Sequence, residues 1–263
     1  MNFKFYIFLL VLTLSFAGCS SFNFTNNVED PEEVELVGYK EFSNTDYIEH
    51  LMSFEKIYLD QYRNDQVDIG YQNAEYLNSI VIKIVENNEL FFKKFIEPKF
   101  HIIESKIPFH FSLPGRKIFL STSLLEKYIK NETILYCLIA YELIRSEKNI
   151  YNKSFVIPTG NISTERMLAL LRISTIDKVE IHKWAFYLLK RVGIETDEYL
   201  SWLQIKNRNS LDFAIQIGDI QSISREEALF KAFLINNATN SNITRKHSGS
   251  SRSFYSFINK IKG

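Results

Sequence analysis

Three features that often identify a function are scarce or missing in this chain of 263 residues. It has only two cysteines, Cys19 and Cys137, which is too few for a disulfide framework. Its basic and acidic side chains balance to a formal net charge of zero, so there is no global case for a nucleic-acid partner or an acidic substrate. No internal repeat of helical-hairpin length is visible, which argues against a solenoid.

An apolar run near the start, from Phe5 to Phe16, is too short to span a bilayer comfortably, because a spanning helix needs about 20 apolar residues. A positive charge precedes this run and two small residues follow it, so residues 1–18 are predicted to be a signal peptide. Cys19 comes next, and the pattern resembles a bacterial lipobox, although Phe16 stands where leucine is usual. An ordinary cleaved signal peptide with an incidental cysteine is the alternative.

The lipobox resemblance implies that Cys19 is acylated and becomes the new N-terminus. Several acyl chains on one cysteine anchor a protein firmly, since each buried methylene contributes about 0.8 kcal/mol. Ser20 resembles the residue found in lipoproteins sorted to an outer membrane. We therefore expect a membrane partner through lipid and a location in the bacterial cell envelope, at the outer membrane and facing the periplasm. Cys137 would then be the only thiol of the mature chain.

The rest of the chain divides into three parts by composition. Residues 19–45 are polar and acidic and are predicted to be a lipidated tether. Residues 46–240 contain enough apolar and aromatic side chains for one domain with a real core. Residues 241–263 are predicted to be a polar and basic tail, which could touch anionic lipid but is more simply a solvated end.

Periodicity within the domain predicts an α+β fold that is mainly helical, with a small sheet of three or four strands. Two stretches have strand character, and the Pro114-Gly115 pair in the second predicts a hairpin or a kinked strand. The predicted strands cover 100–105 and 109–121, and the predicted helices cover 46–63, 73–94, 132–148, 163–171, 178–192, 197–205 and 224–235.

Local signals also predict where some helices begin and end. Ser123 with Glu126 forms a capping-box pattern, and Asn131 is a candidate cap for the helix that follows. Gly193 is placed to end the helix before it.

Three segments, in the right order, resemble the HtpX and CAAX-prenyl-protease type of zinc metallopeptidase. Phe109 to Leu125 (FHFSLPGRKIFLSTSLL) is similar to the family's strand with an LPGG element and the helix start after it. Glu132 to Arg145 (ETILYCLIAYELIR) is similar to the helix that carries HExxH, and Lys178 to Thr196 (KVEIHKWAFYLLKRVGIET) is similar to the ExEAD helix. The resemblance covers most of residues 100–200 and implies a zincin-like fold.

The resemblance also implies which positions of this chain correspond to the zinc site. The two zinc-binding histidines fall on Tyr141 and Arg145, and the general base falls on Glu142, which is retained. The later glutamate ligand falls on Lys178, and the aspartate that supports it falls on His182.

These replacements predict that zinc is lost and that no cofactor is bound. Arginine stays protonated in proteins and has no lone pair to donate, and lysine normally has a pKa of about 10.4. A unit charge about 4 Å from a divalent ion would cost roughly 8 kcal/mol at an effective dielectric constant near 20. Full structural zinc sites gain only about 10–16 kcal/mol. Tyr141 alone, even as a phenolate, would not hold a useful site.

Two alternatives to a former zinc site that has lost its metal concern the same residues. Glu142 and Arg145 lie three positions apart and can form an ion pair across the old site, so both can be merely structural. A relocated metal site could instead be built from four acidic or histidine side chains, with His247 near the end of the chain. The four candidates are Glu142, Asp177, Glu180 and His182.

The resulting hypothesis is a non-catalytic pseudopeptidase that binds an envelope protein or peptide. Phe109, His110, Phe111 and Ser112 would form the peptide-binding strand, since strand addition needs only backbone groups and side pockets. One alternative is an active metallopeptidase or other hydrolase with non-standard ligands around Glu142. Another is a structural lipoprotein whose cleft Tyr141 fills.

Overall fold

The structure is a computed structural model, and it describes residues 44–92, 96–151, 162–194, 196–237 and 249–263. The predictions about the signal peptide, the lipid on Cys19 and His247 lie outside these residues. So does the predicted tether, apart from its last two residues, which belong to the helix Asn44–Gln61.

The described residues form a mainly helical α+β fold with one small sheet, which confirms the predicted fold class at that level. The strands are β1 Lys99–Ile103, β2 His110–Leu113 and β3 Lys117–Ser121. The helices are α1 Asn44–Gln61, α2 Tyr71–Glu86, α3 Thr122–Lys127, α4 Glu132–Glu147, α5 Thr164–Leu170, α6 Thr175–Val192, α7 Asp197–Arg208, α8 Ala214–Ile217, α9 Ile220–Asn237 and α10 Arg252–Lys262. Among these helices, none combines the length and the apolarity that spanning a bilayer requires.

Helix α4 runs through the centre of the fold. Every residue from Ile134 to Ser146 is buried, as expected for a helix that is apolar on all sides. It begins where the side chain of Asn131 accepts a hydrogen bond from the backbone N–H of Ile134 at 2.9 Å, which confirms the predicted cap. Helices α2, α6 and α7 and strands β2 and β3 pack around it. A polar side chain on α4 is therefore held in the interior and needs a partner there.

The sheet has the strand order β1-β3-β2. Strands β2 and β3 form an antiparallel hairpin, and β1 pairs with β3 in parallel. The turn between β2 and β3 contains Gly115 with a φ of 81°, a conformation that glycine adopts without steric strain. The hairpin predicted from Pro114-Gly115 is confirmed, and β2 lies at the edge of the sheet.

Two local predictions have different outcomes. Gly193 ends α6 in the left-handed conformation, as predicted. The capping box at Ser123 is wrong, because α3 already begins at Thr122 and its cap is Ser121, the last residue of β3. The Ser121 hydroxyl accepts hydrogen bonds from the N–H groups of Leu124 and Phe109, so one side chain ends the strand and begins the helix.

The last residues of the chain form a packed helix, which the interpretation as a solvated tail did not predict. Helix α10 packs against α2 and α3 and buries Phe254, Phe257, Ile258 and Ile261. Before it, the Ser251 N–H and hydroxyl both donate to the carboxylate of Glu132, at 2.7 and 2.8 Å. The end of the chain is therefore part of the core and fixes the start of α4.

Candidate functional site

A small pocket opens beside α4, and its water-accessible space is about 40 Å³. A water molecule needs about 10–15 Å³ of such space, so the pocket holds about three waters. Six helices and strand β2 contribute to its wall. The lining side chains are His110, Phe111, Tyr141, Arg145, Leu168, Leu171, Arg172, Ile173, Lys178, Lys206, Phe213, Gln216, Ile217 and Glu226.

Five of the residues singled out from the sequence line this pocket: two from strand β2 and the three positions that correspond to the zinc ligands. Tyr141 and Arg145 lie one turn apart on the same face of α4, and Lys178 reaches the pocket from the start of α6. Glu142 and His182 do not line the pocket. Each is buried next to it and is hydrogen-bonded to other side chains.

Glu142 is completely buried and is held by strand β2. Its Oε1 lies 2.5 Å from Nδ1 of His110, and its Oε2 accepts from the Ser112 hydroxyl at 2.7 Å. Burial alone would raise the pKa of Glu142, but the His110 contact, the Arg145 charge and the Ser112 hydrogen bond together lower it. Glu142 is thus a carboxylate with both oxygens engaged.

His110 presents one ring nitrogen to Glu142, and the other has no partner among the described residues. Because Glu142 is ionised, Nδ1 of His110 donates to it, and the remaining nitrogen, Nε2, is a lone-pair acceptor in the neutral ring. Burial lowers the pKa of His110, and Lys206 and Arg145 act in the same direction while Glu142 opposes them. Nε2 is buried and makes no hydrogen bond to any of the described residues.

Arg145 is fixed by backbone groups more than by Glu142. Its Nη2 donates to the carbonyl of Leu171, and its Nε donates to that of Ile150 at 3.4 Å. The predicted ion pair with Glu142 is confirmed, although at 3.9 Å it is the longer contact. The guanidinium also lies over the ring of Tyr151, with the two centres 5.3 Å apart.

A second buried carboxylate, Glu226 on α9, lies on the other side of the pocket. Its Oε1 accepts from Lys206 at 3.0 Å and lies 2.7 Å from Nε2 of His182, while its Oε2 lies 3.9 Å from Nζ of Lys178. Nδ1 of His182 contacts the Tyr199 hydroxyl at 2.9 Å. One carboxylate therefore holds three basic side chains from α6 and α7.

The pKa shifts in this network follow from burial and from the crowding of cations. Burial lowers the pKa of His182 to about 4 and outweighs the opposing effect of Glu226, and the charges of Lys206 and Lys178 lower it further. Burial would raise the pKa of Glu226, but the same two lysines and His182 lower it. The pKa of Lys178 is also lowered, by burial and by neighbouring cations, although Glu226 opposes this. At neutral pH, His182 is uncharged and Glu226 is ionised.

The side chains at the corresponding positions do not fit a zinc ion. Arg145 and Lys178 carry positive charges into the pocket, where a second cation would be repelled. Burial raises the pKa of Tyr141 well above its usual range, so it stays a phenol and is not an anionic ligand. Among the residues that the structure describes, no three His, Cys, Asp or Glu side chains are grouped as a metal site would require.

The alternative set of metal ligands is not brought together. His182 contacts Glu226 and Tyr199 rather than Glu142. Glu180 is half exposed and pairs with Lys183, and Asp177 accepts from the Ser174 hydroxyl at the start of α6.

The open edge of β2 is already engaged at His110. The side-chain amide of Gln216 donates to the His110 carbonyl at 2.6 Å, and its oxygen accepts from the His110 N–H at 3.4 Å. All four residues of β2 are buried, and so is Phe109 before it. The predicted peptide-binding strand is thus an edge strand. The side-chain amide of Gln216 makes the hydrogen bonds to His110 that the main chain of an added strand would make.

Sequence reasoning did not identify four charged or polar residues of this site, and it gave a fifth, His110, a different role. His110 was noted only as a strand residue, because its pairing with Glu142 bridges 32 positions of sequence. The other four were not singled out, since they lie far from the three resembling segments or between two of them. They are Arg172, Lys206, Gln216 and Glu226. The sequence did contain one signal for Glu226. It lies between Ile223 and Phe230 on an otherwise apolar helix face, which indicates a buried acid.

Neither a scan against protein-family models nor a search of curated proteins finds a match to this chain.

Proposed function

We propose that this chain is a lipid-anchored protein of the bacterial envelope whose zincin-like body binds a partner protein without cleaving it. The proposal joins the lipobox pattern at Cys19 to the resemblance between residues 100–200 and the HtpX-type metallopeptidases. The main support for the absence of catalysis is that Tyr141, Arg145 and Lys178 all line one pocket. Those are the three positions that the resemblance assigns to the metal ligands.

The surroundings of Glu142 support the same proposal. A general base for a metal-bound water must reach that water with a free oxygen. Both oxygens of Glu142 are engaged by His110 and Ser112, and the carboxylate does not line the pocket. In this arrangement Glu142 holds strand β2 against α4, which is a structural role.

Restoring the metal ligands tests the correspondence directly. We expect the full chain, expressed with added zinc and purified in mild detergent, to hold much less than one zinc per chain. The variant Tyr141→His/Arg145→His/Lys178→Glu is expected to hold about one, because two imidazoles and a carboxylate with one open position form a catalytic-type site. Elemental analysis measures both.

A matched variant distinguishes zinc bound at the rebuilt site from zinc bound nonspecifically. Tyr141→His/Arg145→His/Lys183→Glu has the same composition but places the acid on the exposed side of α6. Stoichiometric zinc in the unaltered chain would refute the loss of metal. A folded triple variant that holds no more zinc than the matched one would refute the zincin-like arrangement.

The edge of β2 offers the place where a partner can bind as an added strand. Such a partner must displace the Gln216 amide from His110, since both main-chain groups of His110 are paired with it. A photo-crosslinking amino acid in place of Gln216 is expected to label a partner in intact membranes. The same replacement of Gln221, an exposed residue of α9, gives the background. Equal labelling at both positions would exclude binding at this edge.

The pairing of His110 with Glu142 favours one other function, a hydrolase that needs no metal. A carboxylate that orients an imidazole leaves the second ring nitrogen to take a proton from water, as in other carboxylate–histidine pairs. Nε2 of His110 would accept that proton, the hydroxide would attack a carbonyl, and the proton would then pass to the leaving group. Arg145 and Lys178 would stabilise the oxyanion.

The zinc-free protein distinguishes the two functions. A hydrolase would cleave at least one of a panel of ester and peptide substrates and would lose about 10⁴-fold in rate on Glu142→Gln. Absence of any rate above that of this variant supports the binding protein.

A further inference from the structure

Among the residues that the structure describes, four basic side chains and one carboxylate line the small pocket. Arg145, Arg172, Lys178 and Lys206 come from four separate segments, and Glu226 is the lining acid. Glu142, behind the wall, is engaged by His110 and Ser112. The pocket therefore carries an excess of positive charge in a place largely shielded from water, where it is screened much less than at a surface.

Part of this charge is incompletely paired among the residues that the structure describes. Lys178 has only the 3.9 Å contact with Glu226, which Lys206 and His182 already share. Arg172 donates to the carbonyl of Ile215 at 2.6 Å through one nitrogen, but its Nε is buried and makes no hydrogen bond to the described residues. Buried donors of this kind are rarely left unsatisfied, so the pocket lacks an acceptor.

His110 adds an unsatisfied acceptor in the same wall. The residue is 3% exposed, and Nε2 has no hydrogen-bond partner among the residues that the structure describes. Because Nδ1 gives its proton to Glu142, Nε2 can only accept. A ligand that completes the pocket must therefore be an anion that also carries a proton to donate.

We propose that this pocket binds a singly protonated phosphate group. Its anionic oxygens would accept from Lys178 and Arg172, and its P–O–H would donate to Nε2 of His110. The space of about 40 Å³ suits the three outer oxygens of such a group, since each needs about the room of one water. The site does not depend on the proposed function, because it uses the side chain of His110 and not the main-chain edge of β2, and it uses no metal.

The lowered pKa of Lys178 agrees with this proposal. Burial is the main cause, and Lys206, Arg145 and Arg172 add to it by repulsion. A bound anion would offset that repulsion, so binding would stabilise the charged lysine.

Calorimetric titration of the full chain in detergent tests the site, with inorganic phosphate, sulfate and chloride as probes. We expect phosphate to bind and sulfate to bind at least about tenfold more weakly, because sulfate has no proton for Nε2 at neutral pH. The loss of a charge-assisted contact predicts that Lys178→Gln weakens phosphate binding about tenfold or more. Lys178→Arg should retain most of it.

The control is Lys183→Gln on the exposed side of the same helix, which should bind phosphate as the unaltered chain does. Glycerol 3-phosphate distinguishes the source of the group. Tighter binding of this ester than of inorganic phosphate means that the pocket recognises the phosphate of a larger molecule, and the reverse means a free ion. Equal binding of phosphate and sulfate, or phosphate binding that Lys178→Gln leaves unchanged, would overturn the proposal.

Discussion

Phe257→Ala is expected to lower the free energy of unfolding by about 3–5 kcal/mol, as removal of a large buried aromatic side chain usually does. Phe257 lies on α10 and is completely buried. Its ring lies 6.2 Å from that of Tyr76 on α2, so it joins the end of the chain to the core around α4. A loss of this size is a large share of a typical stability of 5–15 kcal/mol. Urea denaturation of the full chain measures it.

Tyr255→Ala is the matched control on the same helix. This side chain is 54% exposed, and its removal is expected to change the unfolding free energy by less than about 1 kcal/mol. A solvated tail, as the sequence interpretation had it, would give small and equal effects for the two variants. That result would contradict the packing of α10.

The packing of α10 was predictable in part. Phe254, Phe257, Ile258 and Ile261 are spaced as one apolar face of a helix, which the sequence alone displays. The polar stretch before them obscured that pattern and favoured a tail. The surface on α2 and α3 that receives the helix could not be predicted, because it is assembled from segments more than 100 positions away.

The elements near the site were predicted better than the site itself. The hairpin, the cap at Asn131 and the stop at Gly193 depend on a few neighbouring residues, and the structure has all three. The contact of Tyr141, Arg145 and Lys178 with one pocket agrees with the positions that the resemblance assigns to them. Helical spacing alone placed Tyr141 and Arg145 on one face.

The partners of these residues could not be predicted in the same way. Glu142 was expected to pair with Arg145 one turn along its own helix, but its short contacts are with His110 and Ser112 on β2. A sequence pattern shows which groups share a helix face. It does not show which strand packs against that face, and the partners of a buried carboxylate come from that strand.

Glu226→Gln is expected to destabilise the protein by about 3–5 kcal/mol, the usual loss when one member of a buried ionic group is removed. Glu226 is 1% exposed and is the acid that Lys206, Lys178 and His182 contact. The amide keeps the shape but leaves the two ammonium groups without a negative charge beside them. Glu227→Gln is the control, because Glu227 is only partly buried and its hydrogen bond from Asn207 can be kept by the amide.

The same network predicts how the unaltered protein responds to acid. The pKa of His182 is about 4 in the folded state against 6.5 as its usual value, so the unfolded state takes up the proton first as the pH falls. The stability that His182 contributes is complete above pH 6.5 and is lost between pH 6.5 and about 4, by roughly 3 kcal/mol. The lowered pKa of His110 acts in the same direction, and that of Glu226 adds a further loss below pH 4.5.

Unfolding curves between pH 7.5 and 4 separate these contributions. His182→Gln should flatten the decline in this range but not abolish it, because His110 remains. An unfolding free energy that stays constant from pH 6.5 to 4 would mean that neither His182 nor His110 is neutral in the folded protein. In that case Glu226 would be paired with an imidazolium ion, and Glu226→Gln would cost more at pH 5 than at pH 7.5. We expect the opposite result, a neutral His182, because two charged lysines and this buried histidine all contact the one carboxylate of Glu226.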